Sequence, residues 1–242
     1  MIKAIFFDID DTLYSTTAFA EHAREAALES LRAHGVRPSL EALQRELNEV
    51  ISEFSSNYNN HFDKLLLRLT KHDLPQANPA ILIAAAIRAY HDAKQTHLNP
   101  FEDVPPLFQS LAKTDLIRGI ITAGLQIKQA EKLLRLQLYP YVTPTAIFIS
   151  DQIGISKPNP KLYLKALSDT GIAPKEAIYI GDHPLHDIDP ANQVGLNTIL
   201  SNRGTKYSQV EGKTKPHHTI GDFTELLTLL TTHHKIHVPQ DS

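Results

Sequence analysis

The sequence predicts an α/β protein in which helices cover a parallel sheet and one helical block interrupts the chain. Strand-like and helical runs alternate from about residue 100 onward, a short apolar run stands alone at the N-terminus, and only helical patterns lie between the two. Alternation of this kind is typical of parallel sheets with covering helices. We therefore expect the N-terminal run to join the later strands in one sheet, with residues 16–99 as an insertion.

The N-terminal run, residues 2–7, is apolar and aromatic and ends abruptly at the acidic string that begins with Asp8. A short apolar run of this kind is typical of a strand buried on both faces. Ligands of open parallel sheets bind outside the carboxyl ends of the strands. We therefore expect a functional site at Asp8.

The block at 16–99 contains apolar residues at helical spacing, for example over 40–54, and resembles a four-helix bundle. Asn78-Pro79 is typical of the start of a helix, which we predict over 80–96. The dipeptides Asn99-Pro100 and Pro105-Pro106 bracket a linker, after which the helical pattern gives way to alternating strands and helices. The predicted domains are therefore a core, 1–15 plus 100–242, and a helical domain, 16–99.

The rest of the chain supplies the other strands and helices of the predicted core. Runs rich in apolar and β-branched residues predict strands, and runs with helical spacing predict the helices between them. The predicted strands are 116–122, 145–150, 177–180 and 196–200, and the predicted helices are 127–138, 161–170 and 190–194.

The composition excludes several classes of protein. The chain has 242 residues, of which 42% are hydrophobic and 21% charged, and it contains no cysteine, so thiolate nucleophiles, disulfides and cysteine metal sites are excluded. The formal charge is −3 without a long basic stretch, which argues against a nucleic-acid partner. No window has the length and apolarity of a membrane span or signal peptide, so we expect no membrane association and a cytoplasmic location. The oligomeric state stays open.

Four carboxylates follow two of the predicted strands. Asp8 and Asp10 stand two residues apart after the first strand, and Asp182 and Asp187 follow the strand at 177–180. Because the carboxyl ends of parallel strands share one edge of a sheet, we expect these side chains to converge. Their mutual repulsion raises some of their pKa values unless a cation intervenes, and an all-oxygen site is what Mg²⁺ prefers. The sequence therefore predicts a magnesium site.

His183 and His186 raise zinc as an alternative metal, because they stand three residues apart beside Asp182. A zinc site needs further nitrogen, sulfur or oxygen ligands in tetrahedral geometry, and no third nitrogen ligand accompanies this pair in the sequence. We therefore leave both histidines outside the predicted site.

Two further residues offer contacts for a phosphoryl group. Thr122 ends the strand at 116–122 and precedes a small-residue turn, Ala123-Gly124, whose backbone N–H groups also suit phosphate oxygens. Lys157 lies in a loop with two prolines just before the helix at 161–170. Its charge balances the crowded carboxylates and the charge that develops in a transition state.

In this order and separation, the four segments resemble the four signature motifs of the haloacid dehalogenase superfamily, and the resemblance spans nearly the whole chain. Each motif alone is weak, whereas the ordered set is specific. The matching residues are, motif by motif, Asp8, Asp10 and Thr12; Thr122; Lys157; and Asp182 and Asp187.

The resemblance implies a Rossmann-like, three-layer α/β/α catalytic core and makes the helical domain similar to the mobile cap of the phosphoglycolate phosphatase and 5′-nucleotidase branch. It implies a phosphoric monoester hydrolase with Mg²⁺ as cofactor and a small phosphorylated metabolite as substrate. Asp8 attacks phosphorus and forms an aspartyl phosphate, and Asp10 protonates the leaving alcohol and then activates water. Residues 14–19 are expected to meet the substrate.

The resemblance also implies the ligands of the metal and of the phosphoryl group. Thr122 and Lys157 hold the phosphoryl oxygens, and Mg²⁺ is held by Asp8, the backbone carbonyl of Asp10, Asp182, and Asp187 directly or through water. One position departs from the family pattern, because Ala123 stands where Asn usually follows the second motif. The contact made by that side chain is absent, and we expect an effect on substrate preference or rate.

Three alternatives stay open at this point. A metal-independent 2-haloacid dehalogenase uses the same first aspartate but lacks an acid at the position of Asp10, which argues against it. A phosphomutase of the same superfamily shares all four motifs, and a catalytically idle binding protein is prompted by Ala123. Among substrates, nucleotides, phosphoglycolate, and triose or sugar phosphates all remain open.

Overall fold

The computed structural model describes residues 1–55, 58–203, 206–207, 209–236 and 238–239. It divides into two compact units. One, the sheet unit, combines Met1–Thr16 with Asn99–Ser242, and the other, the helical unit, is Thr17–Leu98. No helix among the described residues combines the length and apolarity that a membrane span requires.

The helical unit is built from four helices, α1 (Thr16–Ala33), α2 (Leu40–Phe54), α3 (His61–Arg68) and α4 (Pro79–His97). Ser39 caps α2 by accepting a hydrogen bond from the N–H of Ala42. Leucine and alanine side chains spaced at helical intervals face one another and form a common core. That core includes Ala27, Leu28, Leu31, Leu43, Leu47, Leu65, Leu82 and Ala86.

The sheet unit contains a six-stranded sheet in which every neighbouring pair is parallel. The strand order is β3-β2-β1-β4-β5-β6, so the chain first moves outward from β1 on one side and then returns to add strands on the other. A crevice opens where the order reverses, between the carboxyl ends of β1 and β4. The strands are β1 (Ala4–Phe7), β2 (Ile117–Thr122), β3 (Ile147–Ile149), β4 (Ala177–Gly181), β5 (Asn197–Ser201) and β6 (His218–Ile220).

Helices cover both faces of the sheet, because right-handed crossovers in opposite directions lie on opposite faces. They are α5 (Val104–Leu111), α6 (Gln126–Arg135), α7 (Ser150–Ile153), α8 (Lys161–Thr170), α9 (Asp189–Gln193) and α10 (Phe223–Thr232).

Successive residues of β1 show the two faces directly. Phe6 belongs to a core that contains Leu162 and Tyr163 of α8. Phe7 points the other way, and its ring centroid lies 4.8 Å from that of Phe108 in α5 and 5.9 Å from that of Phe223 in α10. The predicted three-layer α/β/α core with a parallel sheet is therefore confirmed.

The structure adds elements that the sequence patterns did not predict. β6 is a three-residue edge strand beside β5, and a single turn of π-helix, Pro184–Ile188, precedes α9. The helix predicted at 161–170 is α8, and the short helix predicted at 190–194 is α9. The π-turn matters for function because it carries Asp187.

Candidate active site

Asp8 follows β1 directly and lies at the crevice between β1 and β4. Its backbone N–H donates a hydrogen bond of 2.8 Å to the carbonyl of Ile180, which continues the ladder between the two strands by one residue. The side chain is buried, with 6% of the residue exposed. The buried strand ends therefore fix the position of this carboxylate.

Lys157 joins Asp8 to Asp187 inside the crevice. Its Nζ donates to Asp8 Oδ1 at 2.7 Å, to Asp187 Oδ1 at 2.6 Å and to the hydroxyl oxygen of Tyr179 at 2.7 Å. The Tyr179 hydroxyl in turn donates to Asp187 Oδ1 at 2.7 Å. One ammonium group thus serves two buried carboxylates, an arrangement that is stable only when every partner is in place.

Gly181, the last residue of β4, leaves room for Asp187. A Cβ at this position would lie 2.5 Å from the Asp187 carboxyl carbon and 2.7 Å from Oδ2. The same Oδ2 accepts a 3.0 Å hydrogen bond from the backbone N–H of His183. The glycine of the fourth motif is therefore required by close approach and not by an unusual φ angle.

Three carboxylates form a group that fits a divalent cation. One oxygen from each of Asp8, Asp182 and Asp187 lies within 4.8 Å of the others. With Lys157 as their shared cation, the group keeps a net negative charge in a largely buried place, and oxygen-only donors of this kind suit Mg²⁺. The Asp10 carboxylate lies outside this group of described residues, so its backbone carbonyl stays the predicted ligand.

The pKa values reflect the crowding of these acids. Burial raises the pKa of Asp8 to about 6 although Lys157 opposes the shift. Burial and then the negative charge of Asp187 raise the pKa of Asp182 to about 9. Burial acts on Asp187 in the same direction, but the charge and hydrogen bonds of Lys157 outweigh it and hold the pKa of Asp187 below its ordinary value.

Thr122 ends β2 beside this group and is fully buried. Its hydroxyl oxygen has no hydrogen-bond partner among the described residues, which is unusual for a buried polar atom. Of the turn that follows, the Gly124 N–H donates to Ser150 Oγ at 2.9 Å and is already engaged within the protein. Ala123 lines the pocket in front of Asp8.

Asp10 has a separate set of partners. Lys132 Nζ donates to both carboxylate oxygens, at 2.6 and 2.7 Å, the Tyr14 hydroxyl donates to Oδ1 at 2.6 Å, and Gln129 Nε2 donates to Oδ2 at 3.0 Å. Burial favours the protonated acid, but the charge of Lys132 and these hydrogen bonds hold the pKa of Asp10 below its ordinary value. Asp10 is therefore a fixed carboxylate in this structure.

A cavity of about 170 Å³ opens in front of these acids within the sheet unit. Five of the predicted residues line it, namely Asp8, Asp10, Lys157, Asp182 and Asp187. Thr122 is not among the lining residues, and its side chain is fully buried. The structure thus brings all six predicted residues to one crevice and opens five of them to a ligand.

The family model of haloacid dehalogenase-like hydrolases matches residues 5–201. The chain belongs to this family. It is 42% identical to the glyceraldehyde 3-phosphate phosphatase of Methanopyrus kandleri over 87% of this chain and 88% of that protein. It is 40% identical to the protein of the same name from Pyrococcus furiosus, over 95% of this chain and 93% of that protein.

Solved structures of this family share the fold. The HAD-hydrolase YfnB of Bacillus subtilis, in a structure bound to magnesium, is 21% identical, with a TM-score of 0.66 over 95% of this chain and 98% of that one. A 2-haloacid dehalogenase and a protein named as a β-phosphoglucomutase also share it. The predicted membership of the superfamily is therefore confirmed, and the fold alone does not separate its activities.

Several lining residues of this family member were not predicted from the sequence. His183 and His186, which we left outside the predicted site, both line the cavity, and their rings stack with centroids 4.2 Å apart. Lys206 and Tyr207 line it from the segment after β5, and Lys206 Nζ donates to Asp11 Oδ2 at 2.7 Å. The adjacency of His183 to Asp182 was the one signal in the sequence that pointed to this wall.

The two aromatic residues of the segment 14–19 pack inside the protein, and the expectation that this segment meets the substrate stays a prediction. The Tyr14 hydroxyl contacts Asp10 from behind, and Tyr14 does not line the cavity of the sheet unit. The Phe19 ring packs against Tyr90 inside the helical unit, with centroids 6.4 Å apart. Both aromatic side chains are buried, so they serve packing and support in this structure.

Proposed function

We propose that this chain is a Mg²⁺-dependent phosphatase that hydrolyses glyceraldehyde 3-phosphate through an aspartyl phosphate on Asp8. The chain is a phosphatase of its family, in keeping with relatives of that activity at 35% to 42% identity. The observation that carries the proposal is the pair Asp8 and Asp10, which line one cavity together with the three-carboxylate group. A nucleophile, an acid and a cation-binding set then face the same small substrate.

Asp8 is prepared for attack by its contact with Lys157. Lys157 holds Oδ1, and no hydrogen bond from a described residue reaches Oδ2, which is the oxygen that attacks phosphorus. The new Oδ2–P bond forms as the bond from phosphorus to the leaving oxygen breaks. Lys157 and the unpartnered Thr122 hydroxyl offer positive charge and a hydrogen bond to the phosphoryl oxygens.

Asp10 transfers the protons of the reaction. The negative charge of a bound phosphate opposes that of Lys132 and favours the protonated form of Asp10. As an acid Asp10 then gives its proton to the leaving alkoxide, which departs as the alcohol, and as a base it removes a proton from the water that attacks phosphorus. Cleavage of the acyl phosphate releases inorganic phosphate and restores both carboxyl groups. Asp10 lies two residues beyond Asp8 and opens onto the same cavity, as this role requires.

Asp8, Asp182 and Asp187 are the side chains that would hold Mg²⁺, together with the backbone carbonyl of Asp10. Bound there, Mg²⁺ neutralises negative charge on the phosphate and on the acids. The raised pKa of Asp182 supports this assignment, because it reports a carboxylate in need of a cation.

The helical unit has the role of a cap in this proposal. The predicted boundaries, 16–99 for the cap and 1–15 plus 100–242 for the core, follow the family resemblance, and the division into two compact units supports them. A cap of this kind covers the phosphate during reaction and excludes bulk water. The cytoplasmic location also stays a prediction.

The proposal is tested by measuring phosphate release from glyceraldehyde 3-phosphate, phosphoglycolate, a nucleoside 5′-monophosphate and glucose 6-phosphate, with Mg²⁺ or with EDTA. We expect activity with Mg²⁺ alone and a preference for glyceraldehyde 3-phosphate. Asp8→Asn removes the nucleophile and is expected to lower kcat by at least about 10³-fold. Asp169→Asn, which changes an exposed aspartate of α8, is the matched control.

Several results would contradict the proposal, at different levels. A preference for another ester overturns the substrate but not the phosphatase. Full activity in EDTA, or in Asp8→Asn, overturns the mechanism. A product that keeps its phosphate as an isomer identifies a mutase, and release of halide from a 2-haloacid without metal identifies a dehalogenase.

A further inference from the structure

Asp10 is held by three residues that do not line the cavity. Tyr14, Gln129 and Lys132 together donate four hydrogen bonds of 2.6 to 3.0 Å to its two oxygens. Asp10 lines the cavity, whereas none of these three donors is among the lining residues. Within this cavity their link to a ligand runs through Asp10.

Helix α6 places two of the donors. Gln129 and Lys132 stand three residues apart and so lie on one face of the helix. The same face of α6 lies close to the turn that follows β2. Gln129 Nε2 also donates a 2.9 Å hydrogen bond to the Ala123 carbonyl in that turn. Gly124 makes room for that amide, since a Cβ at Gly124 would lie 2.4 Å from Gln129 Nε2.

Lys132 is the partner that fixes the carboxylate most completely. Its Nζ contacts both oxygens, whereas Tyr14 and Gln129 contact one oxygen each. The rotation of an aspartate carboxylate about its last bond is otherwise soft. The pair is also partly exposed, with 21% of the Lys132 and 31% of the Asp10 side chain accessible, so water replaces a weaker partner easily.

We propose that Lys132 is a positioning residue that holds Asp10 where it meets the leaving oxygen of the substrate. This inference rests on the proposed function, because it assigns Lys132 a role in the step that Asp10 performs. Proton transfer requires the two oxygens within about 2.6 to 3.2 Å, and a displacement of about 1 Å costs about 10²-fold in rate. Lys132 thus sets how well the enzyme expels a poor leaving group.

The inference makes a prediction that depends on the leaving group. An alkoxide, as from glyceraldehyde 3-phosphate, leaves only with a proton, whereas a nitrophenolate leaves without one. The contacts proposed for the phosphoryl oxygens, from Lys157 and Thr122, are separate from Lys132. Loss of Lys132 should therefore reduce kcat/KM for the alkyl ester and leave kcat/KM for the aryl ester much less affected.

The experiment compares Lys132→Met and Lys132→Arg with wild type, using glyceraldehyde 3-phosphate and p-nitrophenyl phosphate in the presence of Mg²⁺. Lys128→Met, which changes an exposed lysine of the same helix, is the matched control. The value of kcat/KM is compared between esters because it reports the steps up to departure of the alcohol. Thermal unfolding of each variant shows whether it is folded.

We expect Lys132→Met to lower kcat/KM by about 10²-fold for glyceraldehyde 3-phosphate and by less than about 10-fold for p-nitrophenyl phosphate. Lys132→Arg should recover the alkyl ester to within about 10-fold of wild type, because its guanidinium also reaches two oxygens. Lys128→Met should match wild type.

Equal losses on both esters, or no loss in Lys132→Met, overturns the inference while the phosphatase stands. A wild type that hydrolyses neither ester overturns the proposed function and the inference with it. Should Lys132→Met fail to fold, Tyr14→Phe provides the same test, because it removes one donor to Asp10 without removing a charge. Its loss should be smaller, about 10-fold or less, and again confined to the alkyl ester.

Discussion

Asp8 and Asp10 stand two residues apart, and each is paired with a lysine, but the two aspartate–lysine pairs differ in burial. The side chains of Asp8 and Lys157 are 8% and 5% exposed, whereas those of Asp10 and Lys132 are 31% and 21% exposed. Lys157 divides its charge between two carboxylates, and the pKa of Asp8 is raised to about 6, while Lys132 serves one carboxylate and the pKa of Asp10 is lowered. The buried region therefore has one lysine for two carboxylates, whereas the more exposed region has one lysine for one carboxylate.

The largest effect should follow the loss of Lys157. Lys157→Met leaves Asp8 and Asp187 buried without their shared cation, and breaking a buried pair in this way costs about 3 to 5 kcal/mol. We expect the midpoint of urea unfolding in EDTA to fall accordingly and kcat with Mg²⁺ to fall by about 10³-fold, since the proposed mechanism uses the positive charge of Lys157 beside the phosphoryl group.

Lys161→Met changes an exposed lysine at the start of α8 and is the control for Lys157→Met. It should leave both stability and kcat close to wild type. If Lys157→Met cost no more stability than this control, Lys157 would not be the cation on which the buried carboxylates depend.

Two tyrosine-to-phenylalanine changes, one in each region, test the same comparison without removing a charge. Tyr179→Phe removes a buried hydroxyl whose partners Lys157 and Asp187 are buried too, whereas Tyr14→Phe removes a buried hydroxyl whose partner Asp10 is 31% exposed. We expect Tyr179→Phe to cost about 1 to 2 kcal/mol and Tyr14→Phe less than about 1 kcal/mol in urea unfolding. Equal costs would remove the distinction between the two regions.

The last prediction concerns the dependence of stability on pH, which has opposite origins in the two regions. The pKa of Asp182 rises from 3.8 to about 9, so between these values the folded protein binds a proton that the unfolded chain has lost, and stability falls as the pH rises. Asp182→Asn should therefore raise the Tm in EDTA, by about 2 to 4 °C for each kcal/mol. The gain should shrink from pH 8 to pH 5.

Asp10 provides the opposite case. Its pKa lies below the ordinary 3.8, so its pairing with Lys132 is fully present above pH 3.8 and is lost only as the pH falls through the lowered value. Asp10→Asn should therefore lower the Tm by the same amount at pH 5 and at pH 8. A loss that varied across this range would contradict the pKa direction of Asp10.

The parts of the site that could be predicted from sequence lie at strand ends. Asp8, Thr122 and Asp182 each follow an apolar run, and the rule that parallel strands end at one edge is enough to bring them together. The same alternation predicted the sheet and its covering helices. β6 was missed because a three-residue edge strand has too few residues to show a period.

The support of Asp10 could not be predicted, and the reason lies in the pattern of α6. Lys132 stands among Lys128, Glu131 and Arg135, a charge pattern typical of a solvated helix face. Its contact with Asp10 spans 122 residues of sequence and depends on the angle at which α6 leaves the turn at Gly124. His183 and His186 were set aside for a similar reason, because histidines after a strand are common without a ligand.

The absence of a side chain at Gly181 limits which amino-acid substitutions this chain can accept. Any Cβ there overlaps the carboxyl group of Asp187, six residues away in sequence. A substitution at Gly181 is therefore tolerated only when Asp187 changes with it. Among descendants of this chain, Gly181 should vary only where Asp187 has changed too.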